Sequence, residues 1–410
     1  RIWVEQAISQ AEGAMASFPE LLSMFRDYIK FDPVLRQKVD NAIAENRTAL
    51  KRYIDFLKNE LKSGNETDFR VGQYTYGFYL ERWHGLDESP AAVSRFAKKT
   101  FRQTLEDLKK EASSVDPETA DSDFGWKKVL EKAPKDHPAA GDLLKVFQQE
   151  LERAYQHFDK FKVVPFPRGE RLRIKETPAF LASVLPFTSY NPPFPLDEKR
   201  VSEFYVTLPS SKLSPAVREK VLEMNFNYPQ IEIIVAHEAM PGLYLQNSES
   251  AGVSRIRRIA SSPLVINGWA CYSEWLAQEM GFYTSHWSKL IYLHWRLIRA
   301  ARAYVDAELH RRRMTYDEAL QFFQNEAMLM PSQARAEVLK ISLSPSEGIS
   351  YIMGMDRILH MRRHYERTEE RHFDLRDFHR TFLKMGNLPI NEIEAEMKRQ
   401  KKEAKKSVPY

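Results

Sequence analysis

Proline divides this sequence more sharply than any other residue. Between residues 163 and 212 eight prolines follow one another closely, at Pro165, Pro167, Pro178, Pro186, Pro192, Pro193, Pro195 and Pro209. Proline removes a helix hydrogen bond and clashes with the carbonyl four residues back, so no long helix can cross this stretch. Two short runs inside it, 171–175 and 203–208, alternate and are rich in β-formers. They predict a small, edge-like sheet between proline-bounded loops.

The sequence on either side of this segment has helical periodicity. Apolar side chains recur three or four residues apart, as at Tyr53, Phe56, Leu57 and Leu61. Glycine is scarce, with 15 in 410 residues, which also favours helix. We therefore predict a mainly α fold built as one continuous structural unit. Its parts are an N-terminal helical region (1–162), the small β and loop segment (163–212) and a C-terminal helical region (213–410).

Composition excludes several classes of protein. With 43% hydrophobic residues the chain can bury a large core, which excludes wholesale disorder. The net charge of +5 comes from interleaved basic and acidic residues and gives no reason to expect nucleic acid as a partner. The single cysteine, Cys271, excludes an intrachain disulfide. No apolar stretch approaches the roughly 18 residues of a transmembrane segment. The opening Arg1-Ile2-Trp3 reads as the middle of a helix, which predicts that the biological N-terminus is missing.

The most informative segment ends an apolar run with the pair His237-Glu238. A zincin helix carries His-Glu-x-x-His, in which two His four residues apart share zinc and the Glu acts as general base. Here the fourth residue after His237 is Pro241, so that motif is absent and the helix must kink or end there. Taken alone, the pair fits an ordinary buried histidine better than a catalytic one.

A second segment follows about thirty residues later. Asn267, Cys271 and Glu274 fall on one helical face. Glu274 could serve a site or a hydrogen bond in the core, and the two readings are evenly balanced. Cys271 is better explained as a small buried packing residue than as a ligand.

Two more segments bear polar side chains. Arg299, Arg302, Asp306 and His310 recur at three-to-four spacing, which predicts either an exposed ladder of salt bridges or the wall of a polar cavity. Tyr351 follows a loop near the start of a helix, where it could donate a hydrogen bond to an oxyanion or simply pack.

Taken in order, these segments resemble the DUF885 family, a set of bacterial helical proteins related to zinc metallopeptidases of the gluzincin type. The resemblance covers roughly residue 60 to the end, and it implies a large multi-helix, zincin-like fold. The motifs that carry it are His237-Glu-Ala-Met-Pro-Gly-Leu243-Tyr-Leu-Gln246, Asn267-Gly-Trp-Ala-Cys-Tyr-Ser-Glu274, Arg302-Ala-Tyr-Val-Asp306-Ala-Glu-Leu-His310, Pro345-Ser-Glu-Gly-Ile-Ser-Tyr351-Ile-Met-Gly354 and Phe373-Asp-Leu-Arg-Asp-Phe-His379.

The resemblance also implies roles for individual residues. Glu238 would be the catalytic base, while Tyr351 and His310 would stabilise an oxyanion. His237 is the one metal-ligand position that this chain retains. The positions that would bind substrate are Gln246, Tyr244, Arg302 and Glu274.

This chain departs from the family at two inferred ligand positions. Leu243 stands where the family has its second His, and Asn267 stands where it has the Glu of Glu-Gly-Trp-Ala. One imidazole with a neutral amide does not hold zinc, because zinc sites use three or four N, S or carboxylate ligands. We therefore expect no cofactor. The predicted function is that of a metallopeptidase-like protein that has lost zinc-dependent hydrolysis and keeps a cleft for a peptide or a peptide-like small molecule.

The alternative is an active hydrolase or peptidase. It would hold zinc through a rearranged set of His237, Glu274 and His310, or it would use His237 and Glu238 for metal-free acid–base chemistry. Since DUF885 proteins are often exported, some as lipoproteins, the resemblance implies a periplasmic or lipid-anchored protein. The sequence itself fixes neither the compartment, the substrate nor the oligomeric state.

Overall fold

A computed structural model describes residues 2–30, 32–62, 68–122, 124–167, 172–178, 181–182, 185, 187–197, 200–211 and 213–406. Helices make up 72% of the chain, which confirms the mainly α prediction. The chain divides into two compact units: Arg1–Phe69 with Thr177–Pro186, and Arg70–Glu176 with Phe187–Tyr410. The first of these boundaries falls inside the region 1–162 that the sequence analysis treats as one. Among the described helices, none is long and apolar enough to cross a membrane.

The first unit is built on two long helices, α1 (Ile2–Ile29) and α2 (Pro33–Lys62), which pack against each other. Ala11, Ile54 and Leu57 are its buried apolar side chains among the described residues. The chemistry-bearing motifs all belong to the second unit.

The second unit contains the other helices and the sheet. Its helices in chain order are α3 (Gly72–Arg82), α4 (Pro90–Val115), α5 (Pro117–Ala120), α6 (Gly125–Glu131), α7 (Leu143–Phe161), α8 (Pro215–Asn225), α9 (Tyr228–Glu238), α10 (Leu243–Glu249), α11 (Arg255–Ile259), α12 (Pro263–Glu279), α13 (His286–His310), α14 (Tyr316–Asn325), α15 (Pro331–Leu343), α16 (Ser350–Glu369), α17 (Leu375–Leu383) and α18 (Ile390–Lys406). Helix α13 is central, because it packs against α4, α9 and α16.

The described part of the proline-rich segment contains a three-stranded sheet with the order β1-β3-β2. Its strands are β1 (Leu172–Glu176), β2 (Thr188–Asn191) and β3 (Ser202–Val206). β3 pairs parallel with β1, Leu172 opposite Ser202, and antiparallel with β2, Tyr190 opposite Phe204. The small sheet is thus confirmed, although the sequence predicted only β1 and β3. Arg171, which opens the first predicted run, lies outside the described residues.

Local sequence accounts for where many of the helices begin. Ser89, Ser214 and Asn227 precede α4, α8 and α9, and each side chain accepts a hydrogen bond from a backbone N–H of the first turn. Such caps satisfy donors that have no partner within the helix. Proline follows in the first turn of all three helices, where its missing N–H costs nothing.

Helices α12 and α16 cross with their backbones in close contact, and two glycines permit it. A Cβ on Gly354 would lie 2.0 Å from the carbonyl oxygen of Leu264, and one on Gly268 would lie 2.6 Å from Cα of Gly354. Neither position accepts a side chain without moving a helix. This crossing brings Asn267 of α12 beside Ser350, the first residue of α16.

Candidate functional site

The His237-Glu238 pair closes α9. The helix ends at Glu238 and the chain resumes as α10 at Leu243, which confirms that a helix cannot continue through Pro241. The turn between them is packed tightly, since a Cβ on Gly242 would lie 1.9 Å from the carbonyl oxygen of His237. Trp269 on α12 fixes the turn by donating its indole N–H to the carbonyl oxygen of Pro241 at 3.0 Å.

Glu274 of α12 joins His237 to Arg299 of α13. His237 Nδ1 donates to Glu274 Oε1 at 2.5 Å. Arg299 donates to both oxygens of the same carboxylate, Nη1 at 2.5 Å and Nη2 at 2.7 Å. Its Nη2 also lies 3.4 Å from His237 Nδ1. One carboxylate therefore serves an imidazole and a guanidinium together.

This network is almost closed to solvent. The Glu274 side chain is 0% exposed, and those of Arg299 and His237 are 9% and 17% exposed. Burial alone would raise the pKa of the Glu274 carboxyl, but Arg299 and His237 reverse the shift and hold the pKa below its ordinary value. Because Nδ1 of His237 donates to the carboxylate, Nε2 keeps the lone pair when the ring is neutral.

Glu238 faces the sheet. Its Oε2 accepts the backbone N–H of Tyr190 on the edge strand β2 at 3.0 Å. Burial raises the pKa of the Glu238 carboxyl, and the favourable charge of His237 and the bond from Tyr190 offset only part of the shift. Glu238 is also the last residue of α9, where the helix dipole disfavours an anion and therefore raises the pKa of the carboxyl as well.

The two inferred ligand positions have other roles. Asn267 donates its Nδ2–H to Ser350 Oγ at 2.8 Å, so its side chain joins α12 to α16. Leu243 is the first residue of α10 and offers no donor atom.

The described residues do not fit the zinc ion that the resemblance implies. No group of three or more His, Cys, Asp or Glu among them could hold a metal ion. Both oxygens of Glu274 are already bonded, which leaves His237 Nε2 as the one imidazole donor. A single such donor falls short of the three or four that zinc requires.

A second polar group lies one turn further along α13. Arg302 donates to both carboxylate oxygens of Glu337 on α15 at 2.6 Å, and its guanidinium lies 5.4 Å from the ring centre of Tyr351. Lys340 Nζ donates to the Tyr351 hydroxyl at 3.4 Å and lies 3.6 Å from Glu347 Oε1. Tyr351 also interacts electrostatically with Arg299, which places both groups in one region.

Asp306 and His310 lie deeper in the core, with both residues 0% exposed. Asp306 is fully buried and accepts the backbone N–H of Ser346 at 3.1 Å and of Gly348 at 3.0 Å. It thereby holds the turn that precedes α16. Burial raises its pKa to about 8. The stripe on α13 is thus buried, not an exposed salt-bridge ladder.

The geometry does not support a catalytic role for His310. The ring is fully buried, its Nε2–H donates to the carbonyl oxygen of Ile341 at 3.0 Å, and Nδ1 accepts the N–H of Val71 at 3.4 Å. It also stacks on Tyr76. Both nitrogens are engaged in holding the core together, so the ring does not join the His237 network as an oxyanion donor or a metal ligand.

Two expected substrate-binding residues are also part of the core. Gln246 is 5% exposed and donates its Nε2–H to the carbonyl oxygen of Val265 at 3.2 Å. Tyr244 is 1% exposed and packs edge-on to Tyr190. Cys271 is buried as the packing interpretation requires, and burial raises its thiol pKa to about 12. Of the expected binding residues, Glu274 and Arg302 are the two that belong to the polar groups around α13.

Three residues of this site were not predicted from the sequence. Arg299 was noted only as a member of the polar stripe, although it lies three residues before Arg302 and so on the same helical face. Lys340 is four residues before Ser344, at the end of α15, and carries no motif of its own. Tyr190 contributes a backbone N–H, which no side-chain pattern reveals.

The chain is thus a mainly α protein with a buried His-Glu-Arg network beside a second polar group of Arg302, Tyr351 and Lys340. The sequence matches the family described as "Bacterial protein of unknown function (DUF885)" over residues 1–397, and the chain belongs to that family. No curated protein matches it.

Two solved structures have a similar fold. A putative lipoprotein of unknown function from Shewanella oneidensis is 21% identical, with a TM-score of 0.79 over 96% of this chain and 72% of its own. The putative lipoprotein from Colwellia psychrerythraea is 19% identical, with a TM-score of 0.81 over 97% of this chain and 69% of its own. At these identities the likeness establishes the fold.

Proposed function

We propose that this chain is a metallopeptidase-like DUF885 protein of gluzincin ancestry and zincin-like fold that has lost zinc-dependent hydrolysis. It keeps a cleft beside His237 that binds a peptide or a peptide-like small molecule. The observation that carries the proposal is the state of Glu274. Its carboxylate is fully bonded to His237 and Arg299, while Leu243 and Asn267 supply no anionic or imidazole ligand.

The loss of zinc is tested by restoring the ligands. Metal analysis of the purified wild-type protein should find no stoichiometric zinc. The variant Leu243→His/Asn267→Glu should bind about one zinc per chain, because it supplies a second imidazole and a carboxylate. Adding His237→Ala to that variant is the matched control and should remove the metal. Stoichiometric zinc in the wild type that disappears in His237→Ala alone would overturn the proposal.

The cleft is tested with a tripeptide library in equilibrium dialysis, with bound and free peptides identified by mass spectrometry. We expect a subset of tripeptides to be retained and recovered uncleaved. His237→Gln should weaken that retention, whereas His286→Gln, on the exposed first residue of α13, should not. Cleavage of the retained peptides, or retention of none, contradicts the proposal.

A second candidate is metal-free acid–base catalysis, and one specific feature favours it. Nε2 of His237 has no hydrogen-bond partner among the described residues, and the raised pKa of Glu238 favours the protonated carboxyl, which suits a proton donor. In this reading His237 would be the base and Glu238 the acid. Cleavage that persists in a chelator and disappears in both His237→Gln and Glu238→Gln would favour this candidate.

We also propose that the protein is exported. The two solved structures described above are both called putative lipoproteins, and family resemblance points the same way. Fractionation of the bacterium that produces the full-length protein tests this, and recovery in the cytoplasmic fraction would contradict it.

A further inference from the structure

The Arg302–Tyr351–Lys340 group has the properties of an anion-binding site. Arg302 and Lys340 come from different helices, α13 and α15, and both approach the same Tyr351 ring, at 5.4 Å and 5.7 Å from its centre. The tyrosine adds a hydroxyl that can donate to an anion. We propose that these three side chains bind a carboxylate group of the ligand. The site rests on the proposed function only in placing that ligand in the cleft beside His237.

The position of the group links it to the His237 network. Arg299 and Arg302 are three residues apart on α13, so they project from one face about one turn apart. Arg299 contacts His237 and Arg302 contacts Tyr351. A ligand that reaches His237 therefore lies along the same face of α13 that carries the contact between Arg302 and Tyr351.

The start of α16 places partial positive charge beside Tyr351. Tyr351 is the second residue of this twenty-residue helix, which has no side-chain cap and no acidic residue in its first turn. The N-terminus of a helix carries partial positive charge and unpaired N–H groups. The buried Nε of Arg299 also lacks a hydrogen-bond partner among the described residues, so donor capacity remains unused in this region.

Lys340 is paired less tightly with a carboxylate than Arg302 is. Arg302 is held bidentately by Glu337, and both side chains are less than a fifth exposed. Lys340 is half exposed, and both of its contacts, with Tyr351 Oη and Glu347, are 3.4 Å or longer. Glu347 is itself 37% exposed. A carboxylate of the ligand would replace Glu347 as the partner of Lys340, so Glu347 acts as a competitor.

Because Lys340 attracts the carboxylate and Glu347 competes with it, substitutions at these two residues should change acid binding in opposite directions. The probe is 4-(trifluoromethyl)benzoate, and its amide serves as an uncharged probe of the same shape. Binding is followed by fluorine NMR. We expect the acid to bind at least threefold more tightly than the amide. Lys340→Met should abolish that preference, and Glu347→Gln should strengthen acid binding two- to fivefold.

The controls separate this effect from general charge and from folding. Lys398→Met removes a lysine of α18 with the same 50% side-chain exposure, and it should leave the preference unchanged. Tyr351→Phe should weaken the acid more than the amide if the hydroxyl donates to it. Equal binding of acid and amide, or an unchanged preference in Lys340→Met, overturns the inference.

The source of the carboxylate is resolved with free-acid and amidated forms of the tripeptide library. Retention of free acids alone assigns the site to a peptide C-terminus. Retention of amides that contain Asp or Glu assigns it to a side chain. If the benzoate binds as expected but no tripeptide does, the carboxylate site stands and the proposed peptide function fails. If tripeptides bind without any carboxylate preference, the proposed peptide function stands and the carboxylate site fails.

Discussion

Replacing Glu274 with glutamine isolates the electrostatic core of the site. The side chain keeps its shape, but the buried Arg299 loses its counter-charge, and one of the two oxygens that accept from His237 and Arg299 becomes an NH2 group, which cannot accept. Removing one partner of a buried ion pair costs about 3–5 kcal/mol. Unfolding entropy of about 2.1 cal/mol/K per residue over 410 residues gives roughly 0.9 kcal/mol/K. Glu274→Gln should therefore lower the melting temperature by about 3–6 °C in calorimetry.

The same helix provides a matched control. Glu279 also pairs with an arginine, Arg362, but its side chain is 31% exposed, and Arg362 has a second partner in Glu366. Pairs near the surface contribute about 0–1 kcal/mol, so Glu279→Gln should lower the melting temperature by about 1 °C or less. If Glu274→Gln is no more destabilising than this control, the network does not carry the buried charge that its geometry indicates.

Three further predictions follow from the packing and the titrating groups. Gly354→Ala should destabilise the protein by about 2 kcal/mol or more in thermal unfolding, because its Cβ would lie 2.0 Å from a backbone oxygen, whereas Gly252→Ala, with no atom within 4 Å, should change little. Burial lowers the pKa of His379 to about 3. As the pH drops below about 6.5, the unfolded chain therefore takes up a proton before the folded one does, and stability should fall. In His379→Gln this loss of stability at acid pH should be smaller. Because burial raises the pKa of Asp306 to about 8, its ionised form is the costly one in the fold and stability falls as pH rises from about 4 to 8. The destabilisation measured for Asp306→Asn should therefore be smaller at pH 9 than at pH 5.

Local signals explain what could be predicted of the fold. The end of α9 before Pro241 follows from one proline, and the start of α4 follows from Ser89 and Pro90. Strand β2, by contrast, is four residues long and reads Thr-Ser-Tyr-Asn. Such a segment has no apolar alternation, and it forms a strand because β3 pairs with it across the sheet.

In the site too, single residues could be predicted from their own segments, but the contacts between distant segments could not. His237 and Glu274 were each identified from their own segments, but they are 37 residues apart, and Arg299 is 25 residues further on. Periodicity places a residue on a face of its helix and says nothing about which helix that face meets. Gln246 shows the converse, since a polar residue in a functional motif turned out to bond the backbone of a neighbouring helix.

We predict that the His237–Glu274–Arg299 network serves the proposed binding site and contributes little net stability to the fold. Replacing a buried ion pair with well-packed apolar side chains is often neutral or stabilising, because the charges no longer have to be desolvated. The double variant Glu274→Met/Arg299→Met should therefore recover most of the stability that Glu274→Gln loses, while failing to retain the tripeptides that the wild type retains. The oriented imidazole would be lost with the carboxylate, although the fold remained. If the double variant is as unstable as the two single changes added together, the network has a structural role. If the double variant is stable and still retains the peptides, the network is not part of the binding site.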